Sequence, residues 1–370
     1  MADEIRAWMA LSLCASGRPG LWWELAKTCG GALAAVRADD AQLAGHGASA
    51  AAIALLREEW TNGSPRVLER SARLGLQVTA PGLPAYPTAL AEIPDPPLVL
   101  FYRGAEPASC APALAVVGAR RCTTYGERTA ERIGAEAAAL GLVVVSGLAR
   151  GVDAAAHRGA LARGRTAAVL AGGLDRIYPS EHTSLAERIV AAGGTVVSEQ
   201  PPGVRPLPWL FPFRNRLITG LCEATVVVEA SRRSGSLASA RHALDQGKDV
   251  FAVPGSLDST LSEGTNALLA QGASVFTRTA DLRGVNGFSK LLETKQAKSL
   301  KIIDVMIAGL DEVSLRVLAA VRAGAATSDE IAVATSLDGT RVLALLTALE
   351  LDGCLRRETH GRFRIVRASG

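Results

Sequence analysis

What this chain lacks narrows the reading first. No stretch reaches the roughly 18 uninterrupted apolar residues that a membrane-spanning helix needs, so no membrane span is expected. The opening MADEIRAWMALSLC is acidic where a signal peptide would be basic, and it has neither a long apolar run nor a clear cleavage site. Six cysteines (Cys14, Cys29, Cys110, Cys122, Cys222, Cys354) lie far apart and no C-x-x-C pair occurs. That scatter suits reduced, packed thiols in a cytoplasmic protein and argues against a metal site. Aromatic residues make up only 4%, and the formal charge of +4 is too small by itself to argue for nucleic acid, so the distribution of charge must carry that argument.

What is present is 370 residues with 48% apolar and 21% charged side chains, enough for two or three soluble domains. Residues 1–78 read as short helices. Ile5, Trp8, Met9, Leu11 and Leu13, and again Ile53, Leu55, Leu56 and Trp60, recur at helical spacing, with glycines such as Gly17, Gly20 and Gly30–Gly31 between the pieces. Residues 79–97, with six prolines and no helical period, read as a linker.

Over 98–282 short β-branched runs alternate with Ala-rich helical stretches. The strands predicted are Leu114–Val117, Leu142–Ser146, Ala167–Leu170, Thr195–Ser198, Thr225–Glu229, Val250–Val253 and Ser274–Phe276. Several are continuous apolar runs, as in strands covered on both faces. With helical crossovers between them, the fold class is α/β: an extended Rossmann-like, doubly wound parallel sheet. A linker over 283–308 leads to a unit at 309–370. There, helices over Ser314–Ala323, Ser328–Ala334 and Thr340–Asp352, followed by a hairpin turning at His360–Gly361, give the order of a winged helix.

Ligands of an open parallel sheet bind beyond the carboxyl ends of its strands, so the residues after each strand matter most. After the first comes Gly118-Ala119-Arg120-Arg121, where a glycine admits close backbone approach, Arg120 offers a fork and the next helix offers free N–H groups. An ordinary turn with exposed arginines would look the same, and the second and third glycines of a G-x-G-x-x-G fingerprint are missing. After the second comes Ser146-Gly147-Leu148-Ala149-Arg150-Gly151-Val152-Asp153, in which Asp153 is a candidate helix cap and His157, with no relay partner nearby, a packed or surface residue. The third opens on Gly172-Gly173 and reaches Tyr178-Pro179-Ser180.

The segment PPGVRPLPWLFPFRNRLI is the richest: Trp209, Phe211 and Phe213 punctuate it, and Arg214-Asn215-Arg216 is read as opening a helix toward phosphate oxygens. The rings are expected mainly to anchor the loop, with stacking on unpaired bases as the second role. Ser234-Gly235-Ser236, before another helix, reads as an anion nest. Between Gly203 and Lys248 seven basic residues face three acidic ones, and between Gly118 and Arg165 eight face four. The basic excess gathers on segments leaving one sheet edge.

SGLARGVDAAAH, GGLDRIYPSEH, FPFRNRLITGL, SGSLASARHALDQGKDVFAVPG and SEGTNALLAQGA, in this order over about residues 80–280, resemble the DprA/Smf family. The resemblance implies a non-enzymatic protein that binds and protects single-stranded DNA in natural transformation and delivers it to the recombinase RecA. It implies a homodimer, with single-strand-binding protein as a further partner, and no cofactor. It also implies a helical, SAM-like N-terminal domain and a winged-helix-like C-terminal one. By that similarity the DNA-binding residues are Gly118, Arg120, Ser146, Gly147, Gly172, Arg214, Asn215, Arg216, Ser234, Gly235 and Ser236, to which the loop reading adds Arg150, with no catalytic residue. Ser180 stands where many relatives carry a basic residue, and the segment around Gly17 and Gly20 lacks the usual helix-hairpin-helix turn.

The sheet also resembles that of nucleotide phosphoribohydrolases. Their Pro-Gly-Gly-x-Gly-Thr motif is SGSLASA here, and the nearest carboxylates, Glu199 and Glu229, end strands without an obvious partner for acid–base work. A dinucleotide oxidoreductase lacks its fingerprint. A sequence-specific transcription factor is disfavoured because its recognition helix, TRVLALLTALELDG, is mostly apolar with one arginine.

Overall fold

The computed structural model describes residues 2–15, 19–289, 291, 311–351, 354–358 and 361–365. The chain forms two compact units, Met1–Ser289 and Lys290–Gly370.

The first unit begins with α1 (Ala2–Cys14), α2 (Pro19–Thr28), α3 (Ala32–Arg37), α4 (Asp40–Gly45), α5 (Ala50–Glu58) and α6 (Ser64–Arg73). Their apolar stripes bury Met9, Leu11, Trp22, Leu25, Leu43 and Leu56. This core runs without a break into one side of the sheet, through Leu76, Leu98 and Phe101. The proline-rich stretch read as a bare linker is packed: it carries the one-turn helix α7 (Thr88–Ala91), and Tyr86, Leu90 and Ile93 are buried. Gly17, one of the two glycines of the expected departure, lies outside the described residues.

Strands β1 (Gln77–Thr79), β2 (Leu100–Gly104), β3 (Ala113–Val117), β4 (Val143–Ser146), β5 (Thr166–Leu170), β6 (Thr195–Ser198), β7 (Ala224–Val227), β8 (Asp249–Ala252) and β9 (Ser274–Val275) form one sheet among the described residues. Its order is β1-β2-β6-β5-β4-β3-β7-β8-β9. Strands β3 to β9 pair in parallel, as the sequence predicts, while β1 and β2 add an antiparallel edge beside β6 that it did not. The crossovers are α8 (Thr124–Ala139), α9 (Val152–Leu161), α10 (Thr183–Ala191), α11 (Leu210–Gly220), α12 (Ser236–Asp245) and α13 (Glu263–Ala270). The order reverses between β3 and β7, the topological switch point of a doubly wound sheet.

Alternation along the strands serves two faces. In β5, Ala168 and Leu170 pack toward α9 and α10, whereas Ala167 and Val169 pack toward α11 and α12. Helices α8 and α9 approach unusually closely, because a Cβ on Gly134 would run into the Ala156 carbonyl and one on Gly159 into the Glu131 carbonyl.

The second unit contains α14 (Glu312–Arg322), α15 (Ser328–Thr335), α16 (Gly339–Leu351) and the antiparallel pair β10 (Leu355–Arg357) and β11 (Phe363–Ile365). Asp311 caps α14, and Thr327 with Glu330 forms a reciprocal capping box on α15. Val317, Ile331, Val342, Leu346, Leu349, Leu355 and Phe363 make its core. Residues 359–360, which include His360 of the expected hairpin turn, lie outside the described residues, as does most of the expected 283–308 linker. Among the described residues no single helix is long and apolar enough to cross a membrane.

Candidate nucleic-acid interface

The loops after β3, β4, β5, β6 and β7 leave at the carboxyl edge, and α11 ties them together. Its Arg214 is buried, with Nη1 donating to the Gly147 carbonyl at 2.9 Å and to the Val169 carbonyl. Burial pulls this guanidinium down to about 10, against the attraction of Asp153. Gly147 is glycine for a physical reason: a Cβ there would strike the Arg214 guanidinium. The Asp153 carboxylate accepts from the N–H groups of Gly147 at 3.1 Å and Ala149 at 3.4 Å, so it gathers the preceding loop rather than capping its own helix. Ser146 is fully buried and donates to the Val116 carbonyl at 2.6 Å. Ser146, Gly147 and Arg214 therefore come together, but facing inward as a frame.

The expected phosphate fork at Arg214 and Arg216 is corrected on two counts. Helix α11 starts at Leu210, so both arginines stand past its first turn, away from the free N–H groups. Arg216 is also buried, pairing with Asp95 at 2.9 Å and Glu199 at 2.8 Å, with Phe213 covering it at 4.0 Å. Asn215 between them is half-buried and donates to the Gly235 carbonyl at 3.3 Å, linking α11 to the start of α12.

The outward layer is different. Arg120 is exposed and lies over the Phe211 ring at 4.6 Å, and Phe211 meets the edge of Tyr178 at 5.6 Å. Trp209, two residues before Phe211, is 64% exposed, so it does not anchor the loop in the core as the rings were expected to do. Arg150 is exposed but engaged with Glu181, whose hydrogen bonds and charge raise its pKa and offset its charge. Ser234 and Ser236 share a hydrogen bond of 2.7 Å, Ser236 is buried, and Gly235 between them opens to free space where a Cβ would stand.

Two glycines serve packing. A Cβ on Gly118 would fall 2.7 Å from a Val152 methyl, and one on Gly172, which is buried under the 204–206 segment, would fall 2.9 Å from the Pro206 nitrogen. At the start of the helix after β3, the N–H groups of Thr123 and Gly126 are already engaged. Glu229 accepts from the Thr123 N–H at 2.9 Å and from its hydroxyl at 2.5 Å, while that hydroxyl accepts from the Gly126 N–H at 3.0 Å. His157 is a core residue, bonded to Thr166 at 2.7 Å and pushed down to about 3 by burial, then by His182 and Arg214.

Sequence reasoning missed the counter-ions: Asp95 for Arg216, Glu181 for Arg150, and Asp175, which pairs with Arg70 of α6 at 3.2 Å and accepts from the Gly203 N–H at 2.7 Å. None shares a local motif with its partner. Tyr178 was visible in sequence as part of a Tyr-Pro turn, but its ring contact with Phe211 was not.

Arg120, Phe211, Tyr178, Asn215 and Gly235 thus share one edge of the sheet. The sequence profile of DNA recombination-mediator protein A matches residues 77–285, and that of the DprA winged helix domain matches residues 306–361. The DNA processing protein DprA of Streptococcus pneumoniae is 43% identical over 198 residues, covering 53% of this chain and 70% of that protein. The DNA processing protein DprA of Bacillus subtilis is 40% identical over 220 residues, covering 59% and 74%. The X-ray structure of the pneumococcal protein superposes with a TM-score of 0.59 at 37% identity, covering 65% of this chain and 84% of that one. A structure of DNA processing protein A from Helicobacter pylori, described for its single-stranded DNA binding mode, superposes with a TM-score of 0.51 at 31% identity, covering 59% and 97%. With the profile spanning more than half its length, this chain belongs to the DprA/Smf family of DNA processing proteins.

Proposed function

We propose that this chain binds single-stranded DNA along the carboxyl edge of its sheet and acts as a recombination mediator rather than an enzyme. The observation that carries this reading is the Arg120–Phe211–Tyr178 cluster with Trp209 exposed beside it in sequence. A cation stacked on a ring, next to further exposed rings, offers a phosphate contact and a base-stacking face together. The turn at Gly235, at the start of α12, is open to close approach on the same edge.

Because Arg214 and Arg216 are buried and internally bonded, the outer arginines carry the electrostatics: Arg120, Arg121 and Arg233, all exposed. About three neutralised phosphates give a slope of roughly −2 for log K against log salt on a single strand. The phosphoribohydrolase reading is not favoured, since both carboxylates near the crevice are engaged, Glu199 with Arg216 and Glu229 with Thr123. Protection of incoming strands in natural transformation, RecA loading, dimerisation and contact with single-strand-binding protein are proposed from family membership.

The test is an anisotropy titration of oligonucleotides, single-stranded against duplex, at two salt concentrations. Tighter binding of the single strand with the stated slope supports the reading. Equal affinity for the duplex, or a flat salt response, overturns it. RecA loading is tested separately, by filament assembly on strands coated with single-strand-binding protein.

A further inference from the structure

In doubly wound sheets that bind nucleotides, the phosphate rests on the N-terminus of a helix beside the point where strand order reverses. Here that seat is the β3–α8 turn, next to the end of β7. It is already filled. The Glu229 side chain, 3% exposed, takes both the N–H and the hydroxyl of Thr123 at the mouth of α8. Gly126, in the first turn of α8, makes the room, since a Cβ there would collide with the carboxylate. The backbone closes the same corner: the Ala119 N–H donates to the Glu229 carbonyl at 2.7 Å, and the Val152 N–H to the Ala119 carbonyl at 3.2 Å. Gly118 packs against Val152 at the start of α9.

We infer that Glu229 is a specificity-determining residue, a built-in anion that occupies the nucleotide-phosphate seat and excludes free nucleotides from the switch-point crevice. The inference deepens the single-stranded DNA reading and rests on it for its purpose. A mononucleotide has one phosphate group and needs a deep seat to bind well. A polynucleotide engages several shallow contacts at once, at Arg120, the ring cluster and the α12 turn, and needs no such seat. A carboxylate held at the mouth of α8 repels a second anion, and it has already taken the Thr123 N–H and hydroxyl that such an anion would use. Closing the seat therefore disfavours nucleotides while leaving the outer edge to the polymer.

The experiment uses the full chain with AMP and inorganic phosphate as probes, by calorimetry, and the variants Glu229→Ala and Glu229→Ser. The wild type should give no AMP binding, and AMP should not displace a bound oligonucleotide. Glu229→Ala frees the Thr123 N–H and should bind AMP and phosphate at least about tenfold more tightly than the wild type, a difference readable by titration. Glu229→Ser, which also shortens the side chain and empties the seat, gives the same readout if Glu229→Ala fails to fold. A folded variant with no gain overturns the inference. So does wild-type protein in which AMP shields Cys122, one residue before Thr123, from alkylation; this arm needs no variant. If the wild type binds no oligonucleotide at all, the DNA reading fails, while the gain of AMP binding still judges the role of Glu229 by itself.

Discussion

At the scale of single residues, the arginines divide by what surrounds them. Arg120→Ala should leave the fold intact, weaken binding to all single-stranded sequences alike, and flatten the salt slope by about 0.7, the share of one phosphate. Arg216→Ala should act on stability instead. It strands Glu199 and Asp95, and breaking a buried pair of this kind costs about 3–5 kcal/mol, toward the lower end because Asp95 is 35% exposed. Urea unfolding of the two variants beside their DNA titrations separates the roles. His157 supplies a pH signature. Its pKa falls from 6.5 unfolded to about 3 folded, so the unfolded chain holds the extra proton between those values. Stability is full above about pH 6.5 and declines as pH falls toward the folded pKa. Asp153, raised by burial, pulls the opposite way, so the comparison must be with His157→Gln, which should lose less melting temperature than the wild type between about pH 7.5 and about pH 5.

At the scale of elements, the close α8–α9 packing is set by glycine rather than by bulky ridges. Gly134→Ala or Gly159→Ala brings a methyl group onto a backbone carbonyl, which cannot swing aside as a side chain can. Each should destabilise by about 1–3 kcal/mol, read as a lower urea midpoint with an unchanged slope. Gly147→Ala differs, since the group it meets is the Arg214 guanidinium. Displacing that group breaks its bonds to Gly147 and Val169 and loosens the loop after β4, so both stability and DNA affinity should fall. Strands such as β3, β4, β5 and β7 were readable from their continuous apolar runs, because burial on both faces removes alternation. The β1–β2 edge was not: β1 has only three residues, and β2 follows at once on the proline-rich stretch with no alternation to mark it, so local pattern did not separate either strand from a loop.

At the scale of the molecule, every residue of the proposed DNA edge belongs to the Met1–Ser289 unit, which has its own core on each side of the sheet. A fragment of residues 1–289 should therefore bind single-stranded DNA with the salt slope of the full chain. A shallower slope would show that the winged-helix unit contributes phosphate contacts. Helix α16 presents Leu343, Ala344, Ala348 and Leu351 to solvent with Arg341 as its exposed cation, a surface poor in the donors that read base edges.

The order of apolar runs and glycine turns determined the doubly wound sheet, because strand burial, helix period and turn chemistry are local properties of the chain. The same order brought Arg120, Asn215 and Gly235 to one edge, since the carboxyl ends of parallel strands must emerge together. Only the tertiary structure decided which cations face outward. Arg214 and Arg216 look no different in sequence from Arg120, yet their partners lie far along the chain, at Gly147 and Val169, and at Asp95 and Glu199. A guanidinium turns inward when folding delivers carbonyls or carboxylates to meet it, and no spacing rule within one segment encodes a partner supplied by another.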